Sequence, residues 1–208
     1  MKSILSMLLA AIVFLLGCES APDLSVNIPD DNTQESLSKM IGYELIPLPG
    51  KSPEWIDSVF TMSKEIDGSV GGRMMMEKYF ISEHGDSIII EADLRIPPGA
   101  FVGTEIITMI VDDDFAYMHF YPEMIFEDTL KFSSKFQGLH LDEYPTGTID
   151  FVFIADDGSI ELIKKNGIQV VVPQGLVRVL NAKLVHFSRY GWIRKSGADQ
   201  IYPDINYY

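Results

Sequence analysis

The chain has 208 residues, of which 30 are acidic and 16 are basic, so its formal net charge is −14 at pH 7. A chain this acidic is repelled by phosphate backbones, which excludes nucleic acid as an expected partner. The single cysteine excludes an internal disulfide.

The first segment has the pattern of a secretory signal. Met1 to Ser3 is a short basic start, and residues 4–16 are almost unbroken apolar side chains. A helix of that length rises only about 20 Å, which is too short for a bilayer core of roughly 30 Å. The basic start, the short apolar core and the small residue Gly17 therefore predict a signal peptide over residues 1–17.

The only cysteine stands directly after this segment. Leu15-Leu16-Gly17-Cys18 resembles the bacterial lipobox, in which the cysteine thiol is acylated and the chain is cut before it. The resemblance implies a lipid-anchored protein of the bacterial cell envelope, on its periplasmic or cell-surface face, that contacts the membrane through Cys18. Several acyl chains on one residue exceed what stable anchoring needs. An ordinary signal peptide and an uncleaved anchor are the alternatives.

The next residues predict a disordered N-terminal tether. Glu19 to Ser38 is polar and has too few apolar side chains to order itself, and three prolines exclude regular helix between residues 45 and 53. We expect the packed domain to start at Trp55. The predicted boundaries are 1–17 for the signal peptide, 18–54 for the lipidated tether and proline-rich lead-in, 55–195 for the folded domain and 196–208 for a tail.

From Phe60 onward the pattern indicates short strands separated by turns. Residues 88–96 alternate apolar and polar with period two. Three tight turns are predicted at residues 83–86, 156–159 and 165–167. Further strands are predicted at residues 105–111, 148–155, 160–163, 168–172, 176–180 and 183–188. With no amphipathic helix of three turns among them, these strands predict an all-β sandwich or barrel.

The order of several motifs resembles the ZU-five domain of ankyrins and netrin receptors. Gly71-Gly72 is followed by a hairpin, by Leu94-Arg-Ile-Pro-Pro-Gly-Ala-Phe101 and by Ile106-Ile-Thr-Met109. Three later stretches are similar to that domain's proline-containing strand, its paired strand and its closing strand: Tyr121 to Phe126, Leu139 to Leu141 and Val185 to Tyr190. The resemblance covers roughly residues 59–190 and implies a ZU-five-like β-sandwich. Within it, Pro98-Gly99 fits the centre of a type II turn, a structural corner.

No metal or cofactor is predicted. Asp112-Asp113-Asp114 lacks the spacing of a calcium loop and is interpreted as a solvated acidic turn. The four histidines, at 84, 119, 140 and 186, show no helical metal-site spacing. Met74-Met75-Met76 is interpreted as packing on a strand, because adjacent strand residues point to opposite faces.

His186-Phe187-Ser188 is the one stretch with a catalytic alternative. In some relatives of ZU-five domains, His-Phe-Ser at the closing strand cuts itself between Phe and Ser. The Ser188 hydroxyl would attack the Phe187 carbonyl to give an ester that water hydrolyses, with His186 as general base. The structural alternative is a core strand with Val185 and Phe187 pointing inward.

The distribution of charge leaves two further alternatives. Residues 162–208 carry seven basic side chains and only two acidic ones, whereas residues 19–161 carry 28 acidic side chains. This polarity predicts either complementary pairing within the fold, which we favour, or a basic patch for an anionic partner or lipid surface. We expect a binding or scaffolding protein of the envelope, with a protein or polysaccharide partner and no catalysis, and autoproteolysis as the alternative.

Overall fold

The computed structural model describes residues 42–56, 59–142 and 146–195. These residues form twelve strands and two single-turn 3₁₀ helices, arranged as two antiparallel sheets that pack face to face. None of the described residues forms a helix capable of crossing a membrane. The all-β sandwich prediction is confirmed. The predicted signal peptide, Cys18, most of the tether and the tail at 196–208 lie outside the described residues.

One sheet has seven strands in the order β2-β5-β6-β12-β8-β9, with β1 also paired to β12. Their bounds are β1 Tyr43–Leu45, β2 Thr61–Asp67, β5 Thr104–Val111, β6 Tyr117–Tyr121, β8 Ile149–Ile154, β9 Ile160–Leu162 and β12 Arg189–Lys195. Because β1 carries buried Leu45 and is followed by Ile46 and Leu48, which are also buried, the packed structure begins well before the predicted start at Trp55.

The other sheet has five strands in the order β10-β11-β7-β4-β3. Their bounds are β3 Gly72–Ile81, β4 Ser87–Ile96, β7 Ile125–Gln137, β10 Gly167–Val171 and β11 Leu176–His186. Alternate residues of β4 are buried, as the period-two pattern predicted. On β3, Met74 and Met76 are buried and Met75 is exposed, so the three methionines pack as strand residues.

The core lies between the inner faces of the two sheets. Its largest buried side chains are aromatic, and most come from five strands, β3, β6, β7, β8 and β12: Phe80, Phe120, Phe132, Phe136, Phe151, Tyr190 and Trp192. A smaller apolar cluster on the seven-stranded sheet contains Leu45, Tyr117, Val152, Ile154 and Ile193. Fully burying each such side chain contributes about 1.5–3 kcal/mol, so the sandwich is held mainly by this layer.

Several turns form at the positions that the sequence predicted. Gly99 has φ +83° and the Ala100 amide donates to the Pro97 carbonyl at 3.3 Å, as a type II turn centred on Pro98-Gly99 requires. The turns at residues 83–86 and 156–159 each join two adjacent antiparallel strands, β3 to β4 and β8 to β9.

Other connections differ from the predictions. The segment at residues 165–167 is not a tight hairpin, because it carries the chain from β9 in one sheet to β10 in the other. The two strands predicted at 176–180 and 183–188 are one strand, β11, with an irregularity around Asn181, the only non-glycine residue with positive φ in the described ranges. Pro122 lies between β6 and β7 and not inside a strand, since its ring supplies no ladder donor.

Candidate functional site

His186, Phe187 and Ser188 form a corner at which the chain passes from one sheet to the other. Strand β11 ends at His186 in the five-stranded sheet, and β12 begins at Arg189 in the seven-stranded sheet. The stretch Val185 to Tyr190 is therefore not a single closing strand. It is the connection that joins the two layers of the sandwich.

Backbone hydrogen bonds fix the corner on both sides of the Phe187–Ser188 peptide. The Phe187 amide donates to the Met124 carbonyl at 2.8 Å, and the Ser188 carbonyl accepts from the Phe120 amide at 2.9 Å. Both partners belong to β6 or to the segment that follows it. The two ends of this peptide are thus held by the same neighbouring part of the chain.

The Phe187 side chain is an anchor of the core. It is 2% exposed, its ring stacks on Phe120 with centroids 5.4 Å apart, and it meets Phe126 edge-on at 4.6 Å. Such aromatic geometry adds about 0.5–1.5 kcal/mol per pair beyond burial. Val185, expected to point inward with Phe187, is instead 51% exposed, because the irregularity between Val179 and Ala182 leaves Ala182 and Leu184 on the buried face of β11. Phe187 lies beyond the end of that strand and does not follow its alternation.

The imidazole of His186 lies against aromatic side chains. Its ring contacts Phe153 edge-on with centroids 4.4 Å apart, and its Nδ1 lies 3.4 Å from the Tyr190 hydroxyl. That hydroxyl donates to the His186 carbonyl at 2.8 Å, and burial raises the pKa of Tyr190. Tyr190 therefore remains a neutral donor that holds the end of β11 in place.

The two side chains that a cutting reaction would use are near each other but not joined. In residues 42–56, 59–142 and 146–195, no hydrogen bond links the His186 ring to the Ser188 hydroxyl, and Phe187 and Ser188 are not in the left-handed backbone region. The stored backbone strain that self-cleavage can use is thus not seen as a positive φ at this peptide.

An open cleft of about 440 Å³ lies over the corner. Its floor is largely apolar and its rim carries two carboxylates, an imidazole and a hydroxyl. The residues that line this corner cleft are Glu123, Met124, Ile125, Phe153, Ala155, Asp156, His186, Phe187 and Ser188. An apolar cavity with a few convergent polar groups, in a range of roughly 300–1,000 Å³, is typical of small-ligand sites.

Arg189 braces the cleft from beneath, a role that the sequence did not reveal. It is 3% exposed, and its guanidinium donates to the Ala155 carbonyl at 2.9 Å and to Asp156 at 2.6 Å. Its Nε has no hydrogen-bond partner among the described residues. A basic residue immediately after the His-Phe-Ser stretch was the available signal, but its burial depends on the sheet crossing.

A second polar cluster lies beside the corner, at the turn after β5. Asp112 is 8% exposed and its Oδ1 accepts from the amides of Asp114 and Phe115 at 2.9 and 2.8 Å. The prediction of a solvated acidic turn is therefore wrong for this residue. Burial acts to raise the pKa of Asp112, but His119, Tyr117 and the two amides outweigh it and hold that pKa below its ordinary value.

The histidines are distributed over separate places. His119 lies 3.9 Å from Asp112, while His84 and His140 stack on each other with centroids 6.3 Å apart. His140 Nε2 also lies 3.1 Å from Asp86. Across the described ranges, no three His, Cys, Asp or Glu side chains converge as a metal site.

Comparisons with known proteins place no external constraint on these features. No family model, curated protein or solved structure matches the chain. The resemblance to ZU-five domains therefore stays a prediction from the order of motifs between residues 71 and 190.

Proposed function

We propose that this chain is a lipid-anchored protein of the bacterial cell envelope whose ZU-five-like β-sandwich binds a ligand or partner at the corner cleft. The anchor is the lipid on Cys18, and residues 19 to about 41 connect it to the sandwich. The role is binding or scaffolding, without catalysis.

The anchor is supported by the sequence around Cys18. The basic start, the apolar run and Leu15-Leu16-Gly17-Cys18 occur in the order that a lipoprotein signal requires. The only sulfhydryl of the chain stands at the acylation position, where it would no longer be a free thiol.

The corner cleft is the single observation that carries the binding role. Its apolar floor is formed by side chains that the core already holds rigid, such as Phe187, so a ligand meets a preformed surface. Glu123, Asp156 and His186 on the rim supply directional polar contacts. A preformed site loses little conformational entropy on binding, which favours affinity.

Site-specific photo-cross-linking tests the binding role in intact envelopes. A benzophenone side chain replaces Ile125, which lines the cleft and is 84% exposed, or Val102, which is 91% exposed and does not line it. We expect one defined adduct, identified by mass spectrometry, from position 125 and none from position 102. Equal labelling from both positions, or none from either, contradicts a ligand at this cleft.

Mass spectrometry of the mature N-terminus tests the anchor separately. The expected N-terminal residue is Cys18 carrying acyl chains. A free thiol, or a mature chain that starts elsewhere, contradicts the anchor without affecting the cleft.

One observation favours a second function, autoproteolysis between Phe187 and Ser188. His186, Phe187 and Ser188 all line the same cleft, so the general base, the target carbonyl and the nucleophile share one open space. Catalytic hydrogen bonds can be long before the reaction and tighten in the transition state. A denaturing gel of wild-type protein tests this function. Cleavage would give a stoichiometric fragment that begins at Ser188, and Ser188→Ala would abolish that fragment. We expect a single intact band.

A further inference from the structure

Four cations lie side by side on the outer face of the five-stranded sheet. Arg73 on β3 is directly opposite Arg95 on β4, Arg95 is opposite Lys131 on β7, and Lys131 is opposite Lys183 on β11. All four side chains are exposed. We call these residues the cation row. A further exposed cation, Lys164, lies beside Lys183 at the end of the row, and its carbonyl accepts a hydrogen bond from the Lys183 amide at 2.8 Å.

The cation row works against the stability of the sheet. Like charges directly opposite each other on antiparallel strands are destabilising, and here three such pairs occur in succession. Asp93 partly offsets two of them, because it accepts hydrogen bonds from both Arg73 and Arg95 at 2.7–3.2 Å. Lys131 and Lys183 have no ion pair within the ranges that the structure describes.

Several cations elsewhere in the fold are paired with carboxylates. Lys165 pairs with Asp150 at 2.7 Å, Arg189 pairs with Asp156, and Arg194 contacts Glu44. The chain has almost twice as many acidic as basic residues, so acidic partners are abundant. A line of poorly compensated cations in such a protein therefore marks a place where negative charge comes from outside the chain.

The surroundings of the cation row are also cationic on the β11 side. On the same face, Lys135 is directly opposite Arg178, and Lys135 pairs with Glu91. Further acids are exposed near the ends of these strands: Glu77 lies four residues from Arg73 on the edge strand β3, and Glu127 lies four residues from Lys131 on β7. Strands β7 and β11 together still carry four cations and only two acids, so the positive charge is concentrated on these two strands.

The shape of the cation row favours a linear polyanion over the flat surface of an anionic membrane. Neighbouring strands are spaced about 4.8 Å apart, so the row is roughly 14 Å long. Each strand is rotated by about 20–25° relative to the next, so the four side chains fan out by roughly 60–75° and cannot all meet one flat membrane. A flexible chain can follow that twist.

The spacing of the cations, together with the side chains next to them, distinguishes among three classes of linear polyanion: acidic peptides, single-stranded nucleic acids and anionic polysaccharides. An extended acidic peptide presents charges on one side only every two residues, about 6.6 Å, which does not match the strand spacing. Single-stranded nucleic acid is held largely by base stacking on aromatic platforms, and the positions next to the row on the same face are Met75, Asp93 and Ser133. A pyranose ring spans close to the distance between strands, and rotation about the glycosidic bonds lets a chain of uronic acids turn its successive carboxylates toward the twisted row.

We propose that the cation row binds a linear anionic polysaccharide that carries carboxylate groups along its length. This inference names a partner class for the binding role proposed above, but it uses another surface than the corner cleft and does not depend on the anchor at Cys18. The sugar chain runs across the strands from Arg73 to Lys183.

Binding of the full-length chain, kept in detergent, to immobilised polygalacturonate tests this inference. We expect binding that weakens as salt rises, and none to neutral dextran. Lys131→Gln combined with Lys183→Gln should weaken binding roughly two- to thirty-fold, because two exposed ion pairs contribute about 0.2–1 kcal/mol each. Lys131→Arg combined with Lys183→Arg, which retains both charges, should bind like wild type. Lys78→Gln on β3 is the control for loss of a positive charge elsewhere, because Lys78 is five residues from Arg73 and therefore lies on the opposite face of the sheet.

Three outcomes overturn the inference: no binding of wild type to polygalacturonate at low salt, equal binding by the double Gln variant, or binding only to phosphatidylglycerol vesicles or single-stranded DNA. Unfolding of the double variant by urea shows separately that it is folded. A lipidated Cys18 and a cleft adduct from position 125, found together with any of these outcomes, would leave the proposed function intact and remove only the polysaccharide.

Discussion

Strand β11 carries Lys183 of the cation row and leads directly into the corner, and the two regions differ in what they contribute to the fold. At the corner, Phe187 is enclosed by Phe120 and Phe126, and its backbone is hydrogen-bonded on both sides. Three residues before the end of the strand, Lys183 faces solvent opposite another lysine. The corner contributes to stability, whereas the row reduces it.

This difference helps to separate structural from functional features. Burial of an aromatic side chain stabilises the fold and needs no ligand to explain it. Opposed like charges do not stabilise the fold, so their presence calls for an explanation outside it. The four predictions that follow test this contrast, starting with the largest expected effect.

Phe187→Ala should lower the free energy of unfolding by about 3–5 kcal/mol, because it removes a buried aromatic ring and leaves a cavity. Equilibrium urea unfolding measures this loss. Val185→Ala is the matched control two residues earlier, where the side chain is 51% exposed, and it should change stability by less than about 0.5 kcal/mol. Similar effects of the two substitutions would contradict the structural role of the corner.

Asp112→Asn should lower the free energy of unfolding by about 1–3 kcal/mol at neutral pH, because the buried carboxylate would lose its charge-assisted hydrogen bonds. Since the pKa of Asp112 is held below its ordinary value of 3.8, its contribution is complete above about pH 4 and is lost as pH falls through the lowered pKa. Urea unfolding at pH 7 and pH 3 should show the gap between wild type and variant narrowing in acid.

Asp142→Asn provides the control for that experiment, because Asp142 is exposed. It should not reproduce the destabilisation at pH 7. A gap for Asp112→Asn that stayed constant down to the acid unfolding transition would contradict a stabilising carboxylate at the turn after β5.

Lys131→Gln should raise the free energy of unfolding by about 0.2–1 kcal/mol, because it relieves repulsion from the lysine and arginine directly opposite. Raising the salt concentration should stabilise wild type more than the variant, since salt screens the same repulsion. Destabilisation by Lys131→Gln at low salt would mean that the cation row supports the sheet, and the contrast with the corner would not hold.

Ser188→Ala should have the smallest effect, within about 0.5 kcal/mol of wild type, because the half-buried hydroxyl makes no hydrogen bond among the described residues. A denaturing gel of the two proteins should show the same single band. A shorter band that is present in wild type and absent from the variant would make the corner a self-cutting site.

Local patterns in the sequence predicted the parts of the fold that are determined by residues adjacent in the chain. The alternation over residues 88–96 identified β4, and Pro98-Gly99 identified the type II turn that follows it. Both features depend on side-chain direction or allowed φ within a few residues. Strand β1 was missed because its three residues become a strand only by pairing with β12.

The candidate site was only partly predictable for the same reason. His186, Phe187 and Ser188 were selected from the sequence, but the cleft above them requires Met124, Ile125 and Asp156 from distant segments. The cation row depends on the register of four strands, and a shift of one residue would remove it. Composition showed an excess of basic residues after position 161 but could not assign them to a surface.

The position of β12 has a consequence for how the protein acquires its structure. This strand lies between β6 and β8 and also pairs with β1, and its contact between Arg194 and Glu44 joins residues 150 positions apart. Before β12, which ends at Lys195, has taken its place between them, β6 and β8 expose unpaired edges that can pair with strands of other chains. Contacts over such long separations slow folding, so we expect the seven-stranded sheet to close last, after the hairpin of β3 and β4 has formed.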